Sequence, residues 1–482
     1  MLLQVADITR YCEGELLCGS GEQLVRGLSW DSRSITPDCL YAALPGERVD
    51  GHDYCEDAAR SGAAAVLVSR ELDAQAFEAI KETGACIIRV ADTAVALTAL
   101  AAAWRARLQG QVIALTGSSG KTTTKNLVRD VLAKAGTVVA TQGNQNNELG
   151  VPATLLSAEE TTDFVVVEMG MRGLGQIAEL CEFARPTAAL VTNVGTSHME
   201  LLGSRDAIAQ AKAEVFALLE PGAGAAFVNA SEDLLDALLS YGGLVERGVQ
   251  TIFFDGSGKD PESYATHTPS IYASDISYDA AGNPRFIIHT ETSQAPCALQ
   301  LAGAHNIHNA MAAAALGAYF GLTAEQIAEA LEASVPVEGR QTVLETAQGA
   351  AVIDDSYNAN PDSMRASLAA FRAREVVGKR LAVLGDMGEL GPYSEEGHAL
   401  VGREVASSGI DVLICVGTLA QGIAQVAQDA GMDAHAIMCV EDAAAALEAV
   451  RPLVTEGDCV LVKASHSVGL DAVAKGLVNA HV

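Results

Sequence analysis

The sequence predicts an α/β protein of three domains: a small N-terminal α/β domain at 1–90, a central parallel-sheet domain at 91–333, and a C-terminal Rossmann-like domain at 334–482. Three observations lead there. A chain of 482 residues exceeds what one hydrophobic core usually supports. Short apolar runs rich in β-branched residues alternate with helical patterns through most of the chain, the mark of a parallel sheet with helices on both faces. One of those strands runs straight into a glycine-rich turn and a helix.

The elements follow in order. The first domain reads as short strands and turns at 27–33 and 39–44, then a helix at 55–61 and a strand at 64–68. The central domain opens with an Ala/Leu helix at 93–104. Its strands are read at 112–116, 164–167, 188–192 and 225–228, with extra antiparallel strands expected within 265–300. The C-terminal domain repeats the strand–helix rhythm, with strands at 351–353, 381–384, 412–416 and 459–462.

Composition narrows the partners. Hydrophobic residues make up 49% and charged residues 19%, which suits a folded chain. With 31 Lys+Arg against 61 Asp+Glu, the net charge is −30. Such a surface repels phosphate backbones and anionic lipid, so neither nucleic acid nor a membrane is expected as a partner. An anionic substrate therefore needs a local basic site. The 10 Cys form no C-x-x-C pair and no cluster at metal spacing, so reduced thiols and a cytoplasmic location are expected. No signal peptide is read at the N-terminus, and the apolar stretch near residue 100 is too short to insert in a bilayer.

The turn after the strand at 112–116 is Thr116-Gly117-Ser118-Ser119-Gly120-Lys121-Thr122-Thr123. The strict Walker pattern needs Gly at 115, where this chain has Leu115. The loop is a shortened G-x-x-G-K-T, and it makes the central domain a P-loop domain. Gly117 and Gly120 let several N–H groups converge on one anion. The helix N-terminus adds its positive end. Lys121 can reach the outer phosphates of a nucleotide, and the Thr122 hydroxyl can bind Mg²⁺.

Two later strands end in polar residues. Glu168 closes the strand at 164–167, and His198 follows the strand at 188–192. Carboxyl ends of parallel strands line the ligand crevice in this fold class, so both can face a metal held at Thr122. Lys212 lies on a helix, and composition alone leaves it a surface lysine.

The ordered set 116–124, 143–152, 168–170, 193–198 and 303–310 resembles the Mur ligases of peptidoglycan synthesis. Within that family, 354–361 and 385–391 resemble the branch that adds D-alanyl-D-alanine to a UDP-linked muramoyl tripeptide, and the resemblance covers nearly the whole chain. It implies an ATP-dependent, ADP-forming ligase of the cytoplasm, expected as a monomer, whose substrates are UDP-muramoyl-tripeptide and D-alanyl-D-alanine. It implies roles for matching positions. Residues Thr116, Gly117, Ser118, Ser119, Gly120, Lys121, Thr122 and Thr123 would hold the ATP phosphates, with Asn306 and Asn309 at the base and Arg340 and Asp355 contributed by the C-terminal domain. Thr122 and Glu168 would bind one Mg²⁺; Glu168, His198 and a carbamylated Lys212 would bind a second, the carbamate turning a cation into an oxygen ligand. Lys121, Glu168, His198 and Lys212 are thus the expected catalytic set. Asn144, Asn147, Asn358 and Lys463 would line the substrate. Asp31, Ser32 and Arg33, with Gly46 in the stretch 46–52, resemble the uridine-nucleotide region of the first domain.

Two positions depart from the family pattern. Pro45 stands where Lys is expected, and His466 where Arg is expected. Both bear on substrate grip. A sibling ligase that adds a diamino acid would carry D-N-P followed by Arg or Lys, and no D-N-P occurs here. A folate polyglutamate synthase would not need the first domain's uridine-type motifs. A P-loop ATPase module would release phosphate without any acceptor.

Overall fold

The computed structural model describes residues 1–46 and 49–479. Glu47 and Arg48, inside the expected uridine-nucleotide region, lie outside the described residues.

The first domain is built on a five-stranded sheet. Its strands run in the order Glu15–Cys18, Cys86–Arg89, Ala65–Val68, Leu40–Ala42, Leu28–Ser29, all parallel except the first. Alternate residues go to opposite faces, as strand geometry requires. Tyr41, Val66, Val68 and Ile87 pack with Cys55, Ala58 and Ile80 from the helices Cys55–Arg60 and Ala74–Thr83. Leu40, Ala42, Leu67 and Ile88 instead join a core that runs on into the central domain, through Leu97, Leu100 and Trp104 to Val112, Ala114, Val165 and Val167.

The helix Thr93–Arg105 makes that junction. Asp92 caps it by accepting from the N–H groups of Ala94 and Val95. At its other end Arg105 Nε donates to the Ala184 carbonyl at 2.9 Å, which supplies a cation to the C-terminus of the helix Gln176–Ala184.

The central sheet has nine strands in the order Gln294–Ala298, Pro284–His289, Ile271–Tyr278, Gln250–Asp255, Ala225–Asn229, Ala188–Val191, Gln111–Thr116, Phe164–Glu168, Val138–Ala140. The strands from Ile271–Tyr278 onward are parallel; the other two extend the sheet antiparallel. The expected antiparallel strands within 265–300 are therefore an extension of the nucleotide-type sheet. Register sets Glu168 beside Leu115 and Val191 beside Thr116. The loops after these three strands consequently open at one edge.

The C-terminal sheet has the order Thr342–Glu345, Ala351–Asp354, Cys459–Lys463, Arg380–Gly385, Val412–Val416, Ile437–Val440, with only the first strand antiparallel. The last strand in sequence is inserted in the middle, so Lys463 emerges between the ends of Ala351–Asp354 and Arg380–Gly385. Separate apolar clusters cover the two faces, and neither merges with the central cores. Polar contacts join this domain to the central one instead. Asp362 Oδ2 accepts from Thr196 N at 2.8 Å and Thr196 Oγ1 at 3.0 Å, Asn360 Nδ2 donates to Ser197 Oγ at 2.6 Å, and Glu375 N donates to the Ala280 carbonyl at 2.9 Å.

Candidate active site

The glycine turn follows the strand Gln111–Thr116 and opens the helix Lys121–Leu132. Gly120 has φ 74°, and a Cβ there would stand 2.6 Å from Asn309 Oδ1; a Cβ on Gly117 would collide with Thr192 Oγ1. Glycine is required at both points by close approach, and at Gly120 also by the left-handed backbone. Asn193 fixes the loop from the neighbouring strand end: its carbonyl accepts from Ser118 N at 3.1 Å and its Oδ1 from Ser119 N at 3.0 Å. Lys121 Nζ folds back on the Gly117 carbonyl at 2.8 Å. Burial holds its ammonium below the ordinary lysine range, partly offset by Glu168.

Glu168 is 1% exposed. Its Oε2 accepts from Thr122 Oγ1 at 3.0 Å and lies 3.7 Å from Lys125 Nζ; its Oε1 accepts from Asn146 Nδ2 at 2.9 Å. Lys125 also donates to the Gly143 carbonyl at 3.1 Å, at the start of the loop carrying Asn144 and Asn147. Asn147 Oδ1 accepts from Gly150 N at 3.0 Å, at the start of the helix Gly150–Ser157. His198 is held at φ 64°, and its Nδ1 lies 2.8 Å from Glu389 Oε2 of the C-terminal domain. Lys212 is 1% exposed; burial, then the nearby Lys121 charge, drive its ammonium far below the usual lysine range.

On the helix His305–Tyr319, Asn309 Oδ1 accepts from Thr124 Oγ1 at 3.1 Å and its Nδ2 donates to Asn306 Oδ1 at 2.9 Å. From the C-terminal domain, Lys463 Nζ pairs with Asp355 Oδ2 at 2.8 Å and donates to the Asn358 carbonyl at 2.9 Å. The Arg340 guanidinium lies 4.0 Å from the centre of the Tyr357 ring. The His466 ring lies 5.8 Å from that of Tyr357, centre to centre and tilted, so the residue at the expected Arg position stands near the arginine–tyrosine pair.

A cavity of about 1370 Å³ connects these groups. Its walls include Ser118, Ser119, Gly120, Lys121, Thr122 and Thr123 of the loop, then Glu168, His198, Asn144, Asn147, Asn306 and Asn309. Arg340, Asp355, Asn358 and Lys463 line it from the C-terminal domain. Thr116, Gly117 and Lys212 lie behind these walls. The first-domain residues Asp31, Ser32, Arg33 and Gly46 are not brought to the cavity. Asp31 instead caps the short turn Ser32–Ser34 and pairs with Arg33 at 2.8 Å, and Gly46 N bonds the Val49 carbonyl at 3.1 Å.

Several site residues carry little signal in the sequence. Lys125 sits four residues after Lys121 on a helix and reads as a surface lysine. Glu389, Tyr357 and Asp362 act on partners far away in sequence, and only the fold discloses them. Asn193 alone had a signal, since it directly follows a strand at the site edge.

The cavity is supplied by oxygen ligands and hydroxyls. Among the described residues no group of three or more His, Cys, Asp or Glu is placed to hold a metal ion. The Thr122–Glu168 pair nonetheless suits Mg²⁺, which commonly takes one or two protein oxygens and completes its shell with phosphate and water.

Comparison with known proteins agrees along the chain. The family profiles described as Mur ligase family catalytic domain, Mur ligase middle domain and Mur ligase glutamate ligase domain match residues 24–105, 115–317 and 339–466. The UDP-N-acetylmuramoyl-tripeptide--D-alanyl-D-alanine ligase of Mycobacterium tuberculosis is 38% identical, over 94% of this chain and 92% of its own. The ligase of that name from Bacillus subtilis is 34% identical over 98% of each. Among solved structures, MurF from Acinetobacter baumannii matches with a TM-score of 0.82 at 28% identity over 99% of both chains. MurF ligase from Thermotoga maritima, solved with ADP, matches at 0.75 and 26% identity over 94% of this chain and 97% of its own. With a P-loop, a carboxylate at the next strand end and a cavity shared with the C-terminal domain, the chain belongs to the Mur ligase family.

Proposed function

We propose that the protein joins D-alanyl-D-alanine to the tripeptide carboxylate of UDP-N-acetylmuramoyl-tripeptide, converting ATP to ADP and phosphate and giving the muramoyl pentapeptide of peptidoglycan synthesis. The observation that carries this reading is the cavity of about 1370 Å³ whose walls come from both the P-loop and the C-terminal domain. It suits a reaction in which nucleotide, acid and amine must meet away from water. The near-full-length likeness to ligases of that name supplies the substrates.

The chemistry needs activation, because a carboxylate does not condense with an amine at neutral pH. The tripeptide carboxylate oxygen takes the γ-phosphoryl group and ADP leaves. The dipeptide amine then attacks the acyl carbon, and phosphate departs with the C–O bond. Lys121 turns from the Gly117 carbonyl to the outer phosphates and offsets the repulsion between two anions. The N–H groups of Gly120, Lys121 and Thr122, at the helix N-terminus, face the same charge, while Asn193 holds the Ser118 and Ser119 N–H groups and so fixes the loop. Asn306 and Asn309 hold the base, while Arg340 and Asp355 contact the nucleotide from across the cleft. Thr122 and Glu168 would hold one Mg²⁺, and Glu168, His198 and a carbamylated Lys212 would hold a second; bound there, the ions would neutralise charge on the phosphates. The buried neutral amine that Lys212 favours is the form that adds carbon dioxide.

Asn144, Asn147, Asn358 and Lys463 line the peptide side. Asp31, Ser32, Arg33 and Gly46 take the uridine end, a task compatible with their place outside the cavity because the substrate is long. Docking of the C-terminal domain keeps water from the acyl phosphate. The enzyme works as a cytoplasmic monomer; no helix among the described residues is long and apolar enough to cross a membrane.

Phosphate release tests the reading. It is measured with ATP, Mg²⁺, UDP-muramoyl-tripeptide and D-alanyl-D-alanine, omitting one component at a time. Release that needs both substrates, with a pentapeptide product by mass, is expected. Release with single amino acids and not the dipeptide would transfer the protein to a sibling activity, and release indifferent to both would end the ligase reading.

A further inference from the structure

The edge of the C-terminal sheet, remote in sequence from every residue used above, carries a pair of thiols. The strand Ile437–Val440 runs parallel to Val412–Val416, and the register sets Cys439 directly opposite Cys415. Residues in register on neighbouring strands point to the same face. Here it is the face covered by the helix Gln421–Asp429, where Cys415 packs with Leu413 and Ile423, and where Ile437 lies against the same cluster. Neighbouring strands run about 4.8 Å apart, within the roughly 4.4–6.8 Å between Cα atoms that a disulfide bridges.

Their surroundings differ in a way that assigns roles. Cys439 is the exposed cysteine among the ten, whereas Cys415 is fully buried. The neighbouring Cys415 thiol lowers that of Cys439 to about 7, against the partial burial that raises it. The nearby Cys439, together with burial, pushes Cys415 well above its ordinary value. Cys12, Cys55, Cys181 and Cys297, buried without such a partner, are pushed up to about 12 and are inert by comparison.

We propose that Cys439 and Cys415 are a peroxide-reactive dithiol, in which exposed Cys439 attacks the oxidant and buried Cys415 resolves it into an intramolecular disulfide. In the first step the Cys439 thiolate attacks one oxygen of hydrogen peroxide. The O–O bond breaks, hydroxide leaves, and Cys439 becomes a sulfenic acid. In the second, Cys415 loses its proton and its sulfur attacks that of Cys439; the S–O bond breaks and water leaves. Two thiols are oxidised by two electrons and one peroxide is reduced to two waters. A thiol reductant reverses the bond.

The test uses the full chain. It is treated with hydrogen peroxide, free thiols are alkylated, and the protein is cleaved before aspartate. Trypsin is unsuited, because no Lys or Arg lies between Arg403 and Arg451. Cleavage before aspartate places Cys415 in the peptide 411–428 and Cys439 in 433–441. The expected product is those two peptides linked within one chain and separated by a thiol reductant. In Cys415→Ala, the sulfenic acid should persist and be trapped by dimedone on Cys439. The pH midpoint for Cys439 alkylation should rise from about 7 toward roughly 8.5, the ordinary thiol value. Both cysteines recovered alkylated after peroxide, or a linkage between two chains, would overturn the proposal. The wild-type mapping decides this even if the Cys415→Ala chain does not fold.

Discussion

His198 Nδ1 lies 2.8 Å from Glu389 Oε2, so a histidine on the P-loop domain meets a carboxylate from the opposite wall of the cleft. The histidine is held in the left-handed region, at φ 64°, which a non-glycine residue adopts only under constraint from its surroundings. Gly391 beside it has φ 51°, and a Cβ there would stand 2.9 Å from the Glu200 backbone. The contact spans the two domains, so it depends on how the C-terminal domain sits against the central one. Glu389→Gln is expected to lower kcat by ~10–100-fold, the usual cost of losing an orienting partner. The KM for ATP should change far less. Steady-state kinetics with ATP and each substrate varied in turn checks this; an unchanged kcat would mean that the contact does not serve turnover.

Glu168 makes a second prediction because it serves both chemistry and folding. It and Lys125 are each 2% exposed in the side chain and 3.7 Å apart. Glu168→Ala removes the partner of a buried cation, a change that costs about 3–5 kcal/mol in such pairs. Glu168→Gln keeps one oxygen, which serves Thr122 or Asn146 in place of the two carboxylate oxygens, and still fills the site, so it should lose less stability than alanine. Both should cut turnover by ~10²–10³-fold, the scale of losing one preorganised electrostatic partner. Thermal unfolding and turnover, measured on the same samples, separate the two roles.

The order of motifs made most of the central site legible. A strand followed by G-x-x-G-K-T, a later strand ending at Glu168 and another followed by the stretch 193–198 can place their loops only at one edge of a parallel sheet. The alternation of strands and helices gave the three-domain α/β layout for the same reason. What periodicity could not show was which faces meet. Leu40 and Leu67 look like ordinary strand residues, yet they share a core with Val112 and Val165 and weld the first domain to the second. Nor could it show that Cys459–Lys463 is threaded into the middle of its sheet, which is what brings Lys463 to Asp355. Lys125 stayed hidden because a helical lysine near the surface and one turned inward have the same sequence signature.

The Arg340–Tyr357 stack gives a third prediction. The guanidinium plane rests 4.0 Å from the ring centre, and both residues line the cavity. Lysine keeps the charge but not the plane, so Arg340→Lys should weaken ATP binding by ~5–10-fold, in line with about 1 kcal/mol for a stacked cation. Tyr357→Phe keeps the ring and should bind ATP within about twofold of the parent. Calorimetric titration of both variants is the check. If Arg340→Lys bound ATP like the parent, the stack would have no part in nucleotide grip.

His305 supplies a pH dependence whose sign can be worked out. Burial lowers its imidazole to about 4, with Asp355 opposing the shift and Lys463 and His308 adding to it. In the unfolded chain it titrates near the ordinary ~6.5. Between those values the unfolded state binds a proton that the folded state refuses, so unfolding is favoured as pH falls. The stabilisation is fully present above about 6.5 and is lost progressively down to about 4, on the order of 2 kcal/mol after allowance for partial exposure. Denaturant unfolding of the parent and of His305→Gln at a series of pH values reads this directly. The variant should be flatter than the parent between pH 6.5 and 4, because glutamine takes up no proton in either state. Parallel curves over that interval would show that the imidazole is as free to protonate in the folded protein as in the unfolded chain.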